Sequence, residues 1–253
     1  MDLLKYEKEY SIHVYETGPD GRLTLFSLFD YLQDIASDHA VKLGYGRDEL
    51  LKQNNFWVLS RIYAEISSIP EWNRTITIRT WPRGTDKLFA LRDYEVRYSD
   101  GRQIARATSS WLIVDRFSKR IQRPDNTLSM YNSDLPREKA LIRNAAKIEP
   151  APPDSRNAPV SIVRISDLDI NLHTNNVRYV KWIYDSYTLD FIMNHTPLSV
   201  EINYLAESHY NDTISILIAE ENDKEKIFNH SIVRTTDNTE LCRLKIKWKN
   251  NHI

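Results

Sequence analysis

Apolar positions recur at two periods along the chain, and the order in which those periods alternate sketches a fold. From 23 to about 42, Leu25, Leu28, Phe29, Leu32, Ile35 and Ala36 step by three and four, with Asp30, Gln33, Asp34 and Asp38 between them. That spacing lines one face of a helix, so a long helix with one buried side is predicted. The period then changes to two. Ile76 and Ile78 alternate with Thr75, Thr77 and Arg79, and Tyr94, Val96 and Tyr98 alternate with Asp93, Glu95 and Arg97, as the two faces of a strand require. Ser99-Asp100-Gly101-Arg102 supplies an Asp-Gly hairpin turn with both central residues expected at positive φ, and a return strand is predicted over 104–114.

Between 120 and 160 the periodicity dissolves into a stretch holding Pro124, Pro136, Pro150, Pro152, Pro153 and Pro159. It reads as a connector on the surface, with one short helix near 137–146. The first plan then repeats. Val177, Val180, Tyr184, Tyr187 and Phe191 trace a second helix, and strands follow over 199–205, 214–219, 227–235 and 241–249, with Asn222-Asp223 and Asp237-Asn238 in the turns. The class is α+β. A helix followed by an antiparallel sheet, twice, points to a duplicated unit: an N-terminal half over 1–135, a Pro-rich linker over 136–160 and a C-terminal half over 161–253. A single α+β domain with one long loop accounts for the same order.

Composition removes several classes of function. The 34 Lys and Arg almost balance 35 Asp and Glu, for a net charge of -1, so no global field recruits nucleic acid or anionic lipid; a charged partner must dock on a local patch. No apolar run is long enough to span a bilayer and the first ten residues lack the apolar core of a signal peptide, so no membrane association and a cytoplasmic location are expected. The single cysteine, Cys242, fits a reducing compartment and reads as a buried strand thiol. All six glycines lie at or before Gly101 and form no phosphate loop or dinucleotide fingerprint, so no cofactor is expected. There is no His-Glu-x-x-His or Gly-x-Ser-x-Gly string, and His13, His39, His195, His230 and His252 lack metal-ligand spacing, so no metal is expected either.

The chemistry is concentrated at Asp167-Leu168-Asp169-Ile170-Asn171-Leu172-His173-Thr174-Asn175-Asn176, just ahead of the second helix. Asp169, Asn171 and His173 are spaced by two, so an extended segment would point an acid, an amide and an imidazole to one side and set Leu168, Ile170 and Leu172 against a core on the other. Thr174, Asn175 or Asn176 can cap the helix, whose first N–H groups would face the same region and favour negative charge. Capping alone explains a cluster of Asp, Asn and Thr before a helix, with His173 as a structural histidine, but it needs only one of them. A second polar cluster, Glu207-Ser208-His209-Tyr210-Asn211-Asp212, closes the strand that follows and on its own reads as a solvated turn.

The string from Asp169 to Tyr179, followed by Trp182, resembles the signature of the plant and bacterial acyl-acyl carrier protein thioesterases. Phe56-Trp57-Val58-Leu59-Ser60-Arg61, Ile69-Pro70-Glu71-Trp72, Thr80-Trp81-Pro82-Arg83 and Ala105-Arg106-Ala107-Thr108-Ser109-Ser110-Trp111 are similar to that family's N-terminal half. The resemblance implies two tandem hot-dog folds, the first shaping an acyl pocket and the second holding the catalytic residues. It implies Asp169, Asn171, His173 and Glu207 as the catalytic set and an acyl carrier protein bearing a fatty acyl chain as partner, recognised by a local patch of Arg and Lys. Trp57, Trp72, Trp81, Trp111, Trp182 and Trp248 are expected mainly in the core, with some free to line an acyl tunnel.

The chain departs from the family in having Ser208 where many members carry Cys after the acid. Serine without a strong base is a poor nucleophile, which favours an activated water over a covalent intermediate. In the expected mechanism Glu207, assisted by His173, takes the water's proton, Asp169 and Asn171 orient and hold the water or the acid, and donors near the start of the second helix face the oxyanion. Coenzyme A as the acyl carrier, a hot-dog dehydratase acting on 3-hydroxyacyl thioesters, and a non-catalytic lipid-binding module are the alternatives. A tandem repeat already supplies the pairing that single hot dogs reach by dimerising, so a homodimer is an option rather than a requirement.

Overall fold

The computed structural model describes residues 4–127, 135–136, 138–152 and 154–251. The first half comprises β1 (Tyr6–Ser11), α1 (Leu25–Lys42), α2 (Arg47–Lys52), β2 (Asn55–Ile66), β3 (Thr75–Asp86), β4 (Phe89–Tyr98), β5 (Gln103–Asp115), β6 (Ile121–Gln122) and the single-turn α3 (Pro124–Thr127). The second comprises β7 (Arg156–Asn157), β8 (Ser161–Ile162), α4 (Asn176–Tyr184), α5 (Leu189–Asn194), β9 (His195–Tyr204), β10 (Thr213–Asn222), β11 (Ile227–Arg234) and β12 (Thr239–Asn250). All the strands join one antiparallel 12-stranded sheet in the order β1-β3-β4-β5-β2-β9-β12-β11-β10-β7, with β6 on β5 and β8 on β10. The seam between halves is the β2–β9 pair, in register from Arg61 opposite Asn203 to Glu65 opposite Ser199.

Each half is a helix packed by its own strands, yet α1 and α4 lie against each other. One apolar cluster runs through both, joining Leu28, Ile35 and Ile76 to Val180, Ile202 and Leu244. Each such fully buried aliphatic contributes about 1.5–3 kcal/mol, so parting the halves would expose the shared core as well as two strand edges.

Local details differ from the sequence pattern for identifiable reasons. In the β4–β5 turn only Gly101 takes positive φ, at 86°. Gly101 N donates to Tyr98 O and Tyr98 N to Arg102 O, and a bulge between Val96 and Arg97 absorbs the extra residue. The second helix is broken in two: α4 ends at Tyr184, and Thr188 starts α5 by accepting from Phe191 N. The apolar spacing ran on across the break because Tyr187, in the bend between the helices, and Phe191, on α5, pack on the same core.

The predicted helix near 137–146 does not form; residues 138–152 run as bends and extended chain, and Arg137 lies outside the described residues. The segment is a strap. Ala140 N donates to Asp93 Oδ2 at 2.8 Å, Ile148 N to Asn203 Oδ1 at 2.8 Å and Ala151 N to Ser231 Oγ at 2.9 Å, while Ala146 N donates to Glu201. Arg143 grips both Glu201 oxygens at 2.7 and 3.1 Å. These acceptors stand on β4, β9 and β11, so the strap crosses the sheet over the seam. Its backbone donors are met by sheet side chains rather than by a helical or strand ladder, which is why it carries no period.

Candidate functional site

The polar stretch ahead of α4 is a turn, not an extended segment. Leu168 and Thr174 bridge across it, Asp169 N donates to His173 O at 2.8 Å, Leu172 N donates to Asp169 O at 3.0 Å, and Leu172 sits at φ 63°. The expected alternation of faces is therefore absent, and Ile170 and Leu172 are 76% and 72% exposed instead of lying on a core. The three polar residues are gathered by a different device. Asp169 Oδ1 accepts from Asn171 N at 2.7 Å and His173 N at 3.3 Å, and Oδ2 accepts from Asn171 Nδ2 at 3.3 Å. An aspartate folding its own downstream backbone is a short-range turn solution that period-two spacing imitates.

Asn175 provides the helix cap, accepting from Val177 N at 2.9 Å. Thr174 fixes the second polar cluster against the first: its N donates to Ser208 O at 2.9 Å and its Oγ1 to the same oxygen at 3.2 Å. Ser208 Oγ donates to Thr174 Oγ1 at 2.7 Å and meets Tyr179 OH at 2.8 Å. Burial pushes the Tyr179 phenol well up, so it stays a neutral donor. Ser208 is wholly buried and faces away from solvent, a staple between two loops with no access for a nucleophile's role.

The staple brings Glu207, the preceding residue, to His173: Glu207 Oε1 lies 3.4 Å from His173 Nδ1, with the side chains 47% and 32% exposed. All four expected residues, Asp169, Asn171, His173 and Glu207, line one cavity of about 840 Å³. Its other wall comes from the first half, with Leu51, Phe56, Trp57 and Trp111. A second cavity of about 490 Å³ shares Phe56, Trp57 and Trp111 and continues past Ala36 and Ala40 of α1. Trp57 Nε1 donates to Tyr45 O at 2.9 Å and Trp111 Nε1 to Ser109 Oγ at 2.8 Å, so both indoles spend their polar edge on protein and turn apolar faces to the cavities. Trp81, Trp182 and Trp248 are core as expected, whereas Trp72 is 58% exposed, on the turn before β3.

Four features went unseen or only half seen in the sequence. Arg47 Nε donates to Asn171 Oδ1 at 3.2 Å across 124 residues of chain, a contact no local pattern announces. His209 stacks edge-on against His173 with ring centroids 5.1 Å apart. The Thr174–Ser208–Tyr179 staple was half visible, since Thr174 and Tyr179 lie inside the signature string. Arg47, Arg116 and Lys119 line the larger cavity, forming a basic rim that net charge concealed.

Comparison with known proteins bears on both halves. The acyl-ACP thioesterase N-terminal domain matches residues 3–131 and the acyl-ACP thioesterase C-terminal domain matches residues 153–250. An oleoyl-acyl carrier protein thioesterase of Arabidopsis thaliana, a chloroplastic protein, is 27% identical over 89% of this chain and 66% of its own length. A chloroplastic palmitoyl-acyl carrier protein thioesterase of Gossypium hirsutum is 27% identical over 100% of this chain and 65% of its own. The chain thus spans just under two thirds of the length of these curated relatives. Among solved structures, an acyl-ACP thioesterase from Bacteroides thetaiotaomicron superposes with a TM-score of 0.88 at 24% identity, over 98% of this chain and 100% of that one. The 12:0-ACP thioesterase from Umbellularia californica gives 0.86 at 21% identity, over 98% of each. These superpositions establish the fold, two tandem hot-dog units. With the two domain models covering nearly all of the sequence, the chain belongs to the acyl-ACP thioesterase family.

Proposed function

We propose that this protein hydrolyses the thioester linking a fatty acyl chain to acyl carrier protein, with Glu207 and His173 activating the attacking water. The observation that carries the reading is the Glu207–His173 pair, 3.4 Å apart on the wall of a cavity whose opposite side is apolar. The carboxylate takes a proton from water, directly or through the imidazole; the hydroxide adds to the thioester carbon; the C–S bond breaks and the proton returns to the departing thiolate. The start of α4, where Asn176 borders both cavities, faces the oxygen that turns negative. Asp169 acts by holding the turn and Asn171, and Asn171, braced by Arg47, orients the water.

The two halves divide the work. The half over 1–135 supplies the aromatic walls and so shapes the acyl pocket; the half over 161–253 supplies the acid and imidazole, with the Pro-rich linker over 136–160 joining them in sequence. Arg47, Arg116 and Lys119 suit an acidic carrier protein, and they suit the phosphates of coenzyme A as well. A cytoplasmic location belongs to the same reading, supported by a lone, buried Cys242. The test is fatty acid release from acyl carrier protein and coenzyme A thioesters of one chain length. A clear preference for the carrier protein is expected; equal rates on both would remove the protein partner from the reading, and no release from either would remove the activity.

A further inference from the structure

His173, Glu207 and His209 form the one group of three His, Cys, Asp or Glu side chains among the described residues whose donor atoms converge, all within 4.8 Å of one another. We propose that this trio is a binding site for a divalent transition-metal ion of the Zn²⁺ class, straddling the acid–imidazole pair and extending it by His209. The inference rests on the water-activating reading only for its consequence, inhibition; the site itself stands on geometry.

Two imidazoles and a carboxylate are the donor set that borderline ions such as Zn²⁺ and Co²⁺ prefer, whereas Mg²⁺ and Ca²⁺ want oxygen. Tetrahedral coordination with bonds of about 2.1 Å places donors roughly 3.4 Å apart. His173 Nδ1 and Glu207 Oε1 already meet that spacing at 3.4 Å. His209 must come in by up to about 1.4 Å, which is within reach of side-chain rotation alone, since its ring is exposed. The backbone beneath is fixed. Glu207 and His209 flank buried Ser208, and His209 N donates to Asp212 Oδ2 at 2.9 Å, an acid that Arg234 holds at 3.2 Å. Nor does the ion have to displace other partners: the Glu207 carboxylate pairs with His173, and the two rings contact each other. His173 and Glu207 line the larger cavity, so an ion held by them is within reach of water or a thiolate there.

A bound ion takes up the Glu207 and His173 lone pairs that would otherwise accept the water's proton, so Zn²⁺ switches hydrolysis off reversibly. Co²⁺ serves as the probe, because tetrahedral Co²⁺ absorbs in the visible and reports binding without reference to turnover. The experiment titrates Co²⁺ into the full chain and into His209→Gln and Glu207→Gln, with Mg²⁺ as control. In parallel, Zn²⁺ is titrated against fatty acid release, since the product thiol itself binds zinc. Tetrahedral bands in the wild type, affinity for Co²⁺ at least about tenfold weaker in His209→Gln, and a matching shift of the Zn²⁺ inhibition midpoint are expected, with metal-free turnover of His209→Gln retained. Equal Co²⁺ affinity in wild type and His209→Gln, or binding of Mg²⁺ as tight as Co²⁺, would overturn the site. His209-dependent Co²⁺ bands alongside undiminished fatty acid release would uphold the site and remove Glu207 and His173 from the reaction instead.

Discussion

At the scale of single residues, Ser208 shows how one buried hydroxyl positions chemistry it does not perform. Removing it in Ser208→Ala leaves Tyr179 OH and Thr174 Oγ1 short of a buried partner, a loss of about 1–3 kcal/mol in stability measurable by urea unfolding. Turnover should fall only as far as Glu207 drifts from His173. The cysteine of Ser208→Cys should resist alkylating reagents in the folded state, since the position is sealed; rapid modification would show that it opens to the cavity. His230 sets a pH limit of another kind. Burial lowers its pKa from 6.5 to about 4, and with Nδ1 pointing at Leu244 O and Nε2 at Tyr187 OH the ring is held neutral. Above 6.5 folded and unfolded chains are alike at this residue; as pH falls toward 4 only the unfolded chain gains the proton. Stability should therefore drop across that window by up to about 1.4 kcal/mol per unit, and urea midpoints for His230→Gln should show a shallower slope. The sequence disclosed the residue types of the site but not this partner logic, because Ser208 and His230 take their character from burial.

At the scale of elements, α1, β3 to β5 and β9 to β12 were legible from their apolar periodicity, whereas β1, α2 and the seam strand β2 were not read from the sequence. Nor was the strap over 138–152, because its order is imposed from outside by Asp93, Glu201, Asn203 and Ser231. Glu201 is 8% exposed and holds both Arg143 and Ala146 N, so Glu201→Ala should cost roughly 1–3 kcal/mol, mainly from the strap amide left unpaired, and should open the strap to limited proteolysis before the sheet unfolds. Cleavage no faster than in the wild type would mean the strap is held mainly by its apolar contacts, Leu141 and Ala145 on Tyr63. The turn over 169–173 misled for the opposite reason, since alternating polar and apolar residues suit a strand but arose here from Asp169 folding its own backbone. The break between α4 and α5 did leave a mark, Thr188 followed by Asp190, a cap pattern outweighed by the apolar spacing.

At the scale of the whole molecule, the continuous sheet and shared core put the apolar wall in one half and the acid–imidazole pair in the other, so neither half holds the site alone. A net charge of -1 hid the basic rim, because opposite charges elsewhere cancel it. Arg116→Glu with Lys119→Glu should raise KM for a carrier protein thioester by about tenfold, most at low salt, while leaving turnover of a short acyl-pantetheine thioester unchanged. The most direct measurement is the turnover of an acyl carrier protein thioester by Glu207→Gln and His173→Ala beside the wild type, with far-ultraviolet circular dichroism of each as a check on folding. Both side chains are partly exposed, so folding should be unaffected while kcat falls by about 10²–10⁴-fold in each. Folded variants that keep near wild-type turnover would contradict the assignment of this pair as the water-activating group.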